Sequence, residues 1–291
     1  MAQALQDLLE LRRRLQHAQA VLVRVASVQG SGPREAGAWM AVFADGVVNT
    51  LGGGHLEYEA TAQARRLLAD ASAPAGAQRF ERLVQRFEPL VQRFALGPSL
   101  GQCCGGVVHL QFDRITDADL PRLQAELQPA LQPLALFGGG HVGRALVHLL
   151  GTLPFAVRWI DSRDEIFPEA LPANVQCEHS DPVQRAVDDL APGSAVLIMS
   201  FSHAEDLDIV ATCLQRLRAH NDLPFIGLIG SATKWATFGH RLEARGFSAA
   251  EIARITCPIG IAGITGKQPE VIAVAVAAQL LQHAPPAVPA A

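Results

Sequence analysis

The stretch LALFGGGHVGRALVHLLGTLPFAVRWID, residues 134–161, decides the fold. A short apolar run, Leu134 to Phe137, enters Gly138-x-Gly140-x-x-Gly143; an apolar-periodic helix follows, and a second apolar run ends on Asp161. Strand, phosphate-sized turn, helix, strand and acid is the order of a dinucleotide-binding βαβ unit. Gly138 permits the tight turn, Gly140 lets the backbone approach a pyrophosphate, and Gly143 lets the helix pack on the strand. Gly139 and His141 sit in the same turn, where a helix N-terminus offers N–H groups to an anion. Asp161 stands about 20 residues beyond the glycines, where a carboxylate accepts from a ribose hydroxyl. Glycine-rich turns also serve purely as tight connections. Both flanking strands and the acid together favour a nucleotide-type or phosphate-bearing ligand.

Working outward, residues 133–284 alternate strands and helices. Strands are expected at 174–178, 195–200 and 225–230, and helices near 182–190, 204–219, 233–246 and 269–283. Such alternation predicts a Rossmann-like, doubly wound parallel sheet. In open sheets of this kind ligands sit beyond the carboxyl ends of the strands. There the sequence places GGGHVG, then Asp161-Ser162-Arg163, then Phe201-Ser202-His203, then Ser231-Ala232-Thr233-Lys234. These residues make a polar, anion-tolerant rim. Ser231 and Thr233 also read as plain helix caps. Lys234 is the better site candidate, because a cation in a first helical turn opposes the dipole and asks for another explanation. His203 reads equally as a ligand or as a satisfied loop histidine. The tail, 285–291, is expected to be disordered.

Residues 1–113 predict a smaller α/β domain, and 114–132 a connecting helix ending before Pro133. The first segment reads as a helix over 3–18, strands at 20–28 and 38–44, and a turn at Asp45-Gly46 before Val47 and Val48. Gly52-Gly53-Gly54 leads into a helix over 55–70, with a loop near 71–77. LVQRF occurs at 83–87 and again at 90–94, one copy as a strand and the other as an insertion. VVHLQFD, 107–113, alternates as an edge or half-buried strand should. The cluster Gly30-Ser31-Gly32-Pro33-Arg34, followed by Gly37, and the run Gly52-Gly53-Gly54-His55-x-Glu57 invite a second oxyanion site, with Arg34 favouring binding; the alternative is two tight turns of a small sheet.

Composition bounds the function. The chain has 291 residues, 49% of them hydrophobic, and a net charge of -4 without a dense Lys/Arg block, so nucleic acid is not an expected partner. The N-terminal MAQALQDLLELRRRLQHAQA mixes charges with apolar residues at helical spacing, which predicts neither a signal peptide nor a membrane span. Five cysteines without framework spacing predict reduced thiols in a cytoplasm. Cys103 and Cys104 lie among glycines; zinc needs about four ligands and only His109 is near, so a zinc site is not expected. A soft thiolate pair instead ligates a thiophilic metal or exchanges sulfur, unless it is a redox-inert packed pair.

GSGPREAGAWM (30–40), LGGGHLE (51–57), LGPSLGQCCGG (96–106), LFGGGHVG (136–143), SFSHAEDL (200–207), LIGSATKWATFGHRLEARGF (228–247) and CPIGIAGITGKQPEVIA (257–273) resemble, in order, the XdhC/CoxI family of xanthine dehydrogenase accessory proteins. The resemblance implies an N-terminal XdhC/CoxI domain followed by a Rossmann domain. It implies a chaperone without turnover of its own that binds molybdenum cofactor (molybdopterin), supports its sulfuration by a cysteine desulfurase, and delivers it to apo-xanthine dehydrogenase. Other cofactor biosynthesis proteins and a second copy of the chain would be partners. Carried over by motif, Cys103 and Cys104 lie near molybdenum or transferable sulfur. Gly138, Gly140 and Gly143 would then hold a phosphate, with His203, Lys234 and Cys257 rimming the crevice. Two other classes stay open on the residues: an NAD(P)-dependent oxidoreductase, and a module that senses another nucleotide.

Overall fold

The computed structural model describes residues 2–72, 90–96, 106–128 and 130–283. The chain divides into two compact units at 128/129.

The N-terminal unit is built on a five-stranded antiparallel sheet. In chain order its strands are β1 (Ala20–Gln29), β2 (Trp39–Phe43), β3 (Gly46–Asn49), β4 (Leu90–Ala95) and β5 (Val107–Ile115), arranged β3-β2-β1-β5-β4. Alternation along β1 feeds two cores. Val21, Val23 and Val25 join Leu56, Ala60, Ala64 and Leu68 of helix α2 (Gly54–Ser72), while Ala20 and Leu22 join Leu11 and Leu15 of α1 (Ala2–Leu15). Helix α3 (Leu120–Leu127) buries Leu123 and Leu127 in that second core. It belongs to this unit.

Several boundaries differ from the sequence reading. The connecting helix is shorter than 114–132, because Arg114 and Ile115 finish β5 and β6 begins at Gln132. The two-residue turn is Ala44-Asp45, with Gly46 already paired to Phe43. VVHLQFD is half-buried and lies inside the sheet between β1 and β4; the edge belongs to β4, which contains the second LVQRF copy. The first copy, 83–87, falls outside the described residues.

The C-terminal unit carries six parallel strands: β6 (Gln132–Phe137), β7 (Phe155–Asp161), β8 (Val175–His179), β9 (Ala195–Ile198), β10 (Phe225–Leu228) and β11 (Ile255–Thr256). Their order is β11-β10-β9-β6-β7-β8. This is the doubly wound order 3-2-1-4-5-6, with its switch point between β6 and β9. Helices α4 (His141–Leu150) and α8 (Pro269–His283) cover one face, adding Leu146, Val147, Leu150, Val276 and Leu280 to Leu134, Leu136 and Trp159. Helices α5 (His203–His220) and α6 (Ala232–Ala244) cover the other, adding Ile209, Leu214, Phe238 and Leu242 to Phe137, Ile198 and Leu228. A capped turn, α7 (Ala249–Ile252), leads into β11.

The helix expected near 182–190 is a single 3-10 stretch, Val183–Val187. It stops where Arg216 donates to the carbonyls of Val187, Asp188 and Leu190, and the acids at 188 and 189 sit where the helix dipole disfavours them. Strands β9 and β10 each end two residues early, and their last apolar residues become the loops of the ligand edge. Among the described residues no helix is long and apolar enough to cross a membrane.

Candidate functional site

The glycine turn after β6 separates into packing glycines and one that packing leaves unexplained. Gly138 has φ +121°, and a Cβ there would lie 2.0 Å from the Met199 carbonyl oxygen, so only glycine lets β6 close on the end of β9. A Cβ on Gly143 would lie 2.1 Å from the Gly138 carbonyl oxygen, and one on Gly139 would meet Ile166 at 2.6 Å. Gly140 differs. Its φ of -68° suits any residue, and a Cβ would meet nothing within 4 Å. Gly140 is the N-cap of α4 and has no side chain to satisfy the first-turn amides. Exposed His141 follows it. Open space over a helix N-terminus at the switch point is the geometry that accepts an anion.

Asp161 is 2% exposed and turned inward. One oxygen accepts from the Gly139 amide at 2.6 Å and from Arg163 Nη2 at 2.9 Å; the other accepts from Arg163 Nε and its amide at 2.8 and 2.9 Å. Burial raises its pKa, but the Arg163 side chain and the two amides outweigh that and hold it below the ordinary value. The carboxylate expected to meet a ribose braces the glycine turn instead. Arg163 in turn places its guanidinium carbon over the Phe201 ring, 4.5 Å from its centroid.

Beyond β9, buried Asp206 accepts from the Ser200 amide and hydroxyl, both at 2.8 Å, and from Lys234 Nζ at 2.6 Å. Lys234 also donates to the Ile229 carbonyl at 2.9 Å. This answers the question raised by a cation in a first helical turn: Lys234 is the counter-ion of Asp206 and clamps the loops after β9 and β10. Asp206 was missed because the partners lie 28 residues apart on different helices; its only signal is an acid in the SFSHAEDL run.

The remaining candidates divide. Ser231 caps α6, accepting from the Lys234 amide, so the bland reading holds for it. His203 is exposed at the start of α5, its ring edge-on to Phe238. Cys257 is half-buried close to Gly230 and Lys234, and burial raises its thiol pKa despite that lysine. Ser162, a rim residue, donates to Glu205 at 2.7 Å and so ties the loop after β7 to the first turn of α5; Glu205 itself was not singled out in the sequence, and its Oε2 is buried without a donor among the described residues.

In the N-terminal unit the glycine cradle is filled from within. Glu57 accepts from the amides of Leu51 and Gly53 at 2.8 and 3.1 Å and from the Thr50 hydroxyl. Gly53 and Gly54 adopt positive φ in this turn, and Arg34 donates to the Thr50 carbonyl at 3.3 Å. The acid of the first turn of α2 takes the place an external oxyanion would need. Cys103 and Cys104 lie outside the described residues; among those described, no group of three His, Cys, Asp or Glu side chains could hold a metal ion.

Comparison with known proteins matches this frame. Residues 134–280, half of the chain, match the XdhC Rossmann domain, and residues 14–81 match the XdhC and CoxI family. The chain is 28% identical over 265 residues to the uncharacterized protein YqeB of Escherichia coli (strain K12), a match covering 90% of this chain and 43% of that protein. It thus spans less than half the length of that curated relative. A crystal structure named as a xanthine dehydrogenase from Bacillus halodurans superposes with a TM-score of 0.72 over 95% of each chain at 19% identity, which supports the fold. With a Rossmann half matched throughout and the N-terminal model lying ahead of it, the chain belongs to the XdhC and CoxI family.

Proposed function

We propose that the chain is a cytoplasmic accessory protein of xanthine dehydrogenase maturation, which binds molybdenum cofactor, shelters it, and passes it to the apo-enzyme without turnover of its own. The observation that carries this reading is Gly140: the turn keeps a glycine where packing has no use for one, over open space at a helix N-terminus. A molybdopterin phosphate is the kind of anion such amides hold. Family membership supports xanthine dehydrogenase as the client, and Cys103 with Cys104 would supply the soft ligands that molybdenum or a transferable sulfur requires. A cysteine desulfurase, other cofactor biosynthesis proteins and a second copy of the chain are the partners this function entails.

One rival occupies the same crevice. The strand order and glycine spacing equally suit NAD(P) in an oxidoreductase or nucleotide-sensing module. Asp161 weighs against it, since both oxygens are committed inward to Gly139 and Arg163. Co-expression with the cofactor pathway, followed by assay of molybdenum, oxidised pterin fluorescence and NAD(P) on the purified chain, separates the two. Bound molybdenum and pterin are expected, reduced in the Cys103→Ala, Cys104→Ala double variant. Stoichiometric NAD(P), substrate-dependent absorbance change at about 340 nm and no molybdenum would overturn the proposal.

A further inference from the structure

Phe201 lies in the short loop 199–202 after β9, at the switch point, and is 65% exposed, whereas its apolar neighbour Met199 is buried. Single exposed apolar side chains are common and need no explanation. This one is held. The Arg163 guanidinium stacks on one face of the ring at 4.5 Å, and Arg163 is itself pinned by three hydrogen bonds to Asp161, which also grips the Gly139 amide. The chain of contacts runs from the glycine turn to the ring, so the ring's position is set by the element that would hold an anion. A fixed aromatic beside an anion cradle is what recognises a flat heterocycle joined to a phosphate.

We infer that Phe201, backed by Arg163, is a stacking platform for a flat nitrogen heterocycle joined to a phosphate. The inference rests on the anion site proposed above and assigns the other end of the ligand. A reduced pterin and a nicotinamide or adenine ring share this chemistry.

The full-length chain is titrated with 6-hydroxymethylpterin and with NADH, reading ligand fluorescence, and with inorganic pyrophosphate by calorimetry. Phe201→Ala should weaken the ring probe that binds by about tenfold, the loss typical of removing one stacking aromatic, and leave pyrophosphate unchanged. Phe201→Tyr should restore it. Unchanged ring binding in Phe201→Ala overturns the platform, as does a wild-type chain that binds neither ring. A change of molecular mass on light scattering in Phe201→Ala with ring affinity intact overturns it too, making Phe201 a contact between copies. If NADH alone responds, and depends on Phe201, the platform stands and the molybdopterin reading falls. If Phe201-dependent ring binding persists where pyrophosphate fails to bind, the platform stands and the anion cradle falls.

Discussion

Lys234 Nζ lies 2.6 Å from Asp206 Oδ2, an almost fully enclosed ion pair that fastens the first turn of α6 to the first turn of α5. Asp206 spends its other oxygen on Ser200, so the pair fixes the loop that carries Phe201. Removing one partner of a buried pair strands the other charge and costs about 3 to 5 kcal/mol. Lys234→Met should therefore lower stability by that order, and the double variant with Asp206→Asn should recover much of it. Urea unfolding midpoints of the single and double variants check this; equal midpoints for Lys234→Met and wild type would show the pair to be idle.

The glycines of one turn should behave oppositely. Gly138→Ala puts a methyl against the Met199 carbonyl at positive φ and should lower the melting temperature by several degrees or prevent folding. Gly140→Val meets open space at an ordinary φ and should melt close to wild type while losing pyrophosphate. Melting curves beside calorimetry decide it, and a Gly140→Val chain that is folded and binds pyrophosphate normally would falsify the anion cradle.

Asp161 should make acid stability depend on Arg163. With its folded pKa held below the ordinary 3.8, this carboxylate stabilises the fold above that value, and the contribution is lost as pH falls through the lower folded pKa. Arg163→Met removes the largest opposing interaction and leaves burial, which pushes the pKa up. The variant should then lose stability chiefly near neutral pH and show a smaller deficit as pH falls through the acid range. Circular dichroism unfolding series at several pH values test this; a deficit that grows on acidification contradicts it.

Thiol reactivity should be uneven. Burial pushes the Cys213 thiol up to about 12 and raises Cys177 and Cys257 as well, so none of the three is thiolate-rich near neutrality. Native labelling with a thiol reagent, mapped by mass spectrometry, should leave Cys213 unmodified until the chain is unfolded. Fast labelling at Cys213 would contradict its buried placement.

Local periodicity made the Rossmann half readable. Leu134 to Asp161 writes strand, turn, helix and strand within 28 residues, and each signal is carried by near neighbours in the chain. What escaped is what depends on partners far apart. Asp161 reads as a ribose ligand until Arg163 and Gly139 are seen to enclose it, and the glycine run ahead of Glu57 reads as an oxyanion cradle until the Glu57 carboxylate is seen to fill the Leu51 to Gly53 turn. The helix expected at 182–190 fails for the same reason, since Arg216, more than 25 residues on, takes its closing carbonyls. Phe201 carried no sequence signal beyond its apolarity; only its exposure and the guanidinium behind it single it out.

Strand β11 pairs through only Ile255 and Thr256. Two residues leave too little free ladder for an incoming chain to zip onto, which guards that margin against runaway fibre growth. It also means that any pairing of copies on this side must be made by side chains and helix surfaces, since the sheet cannot continue from one molecule into the next there.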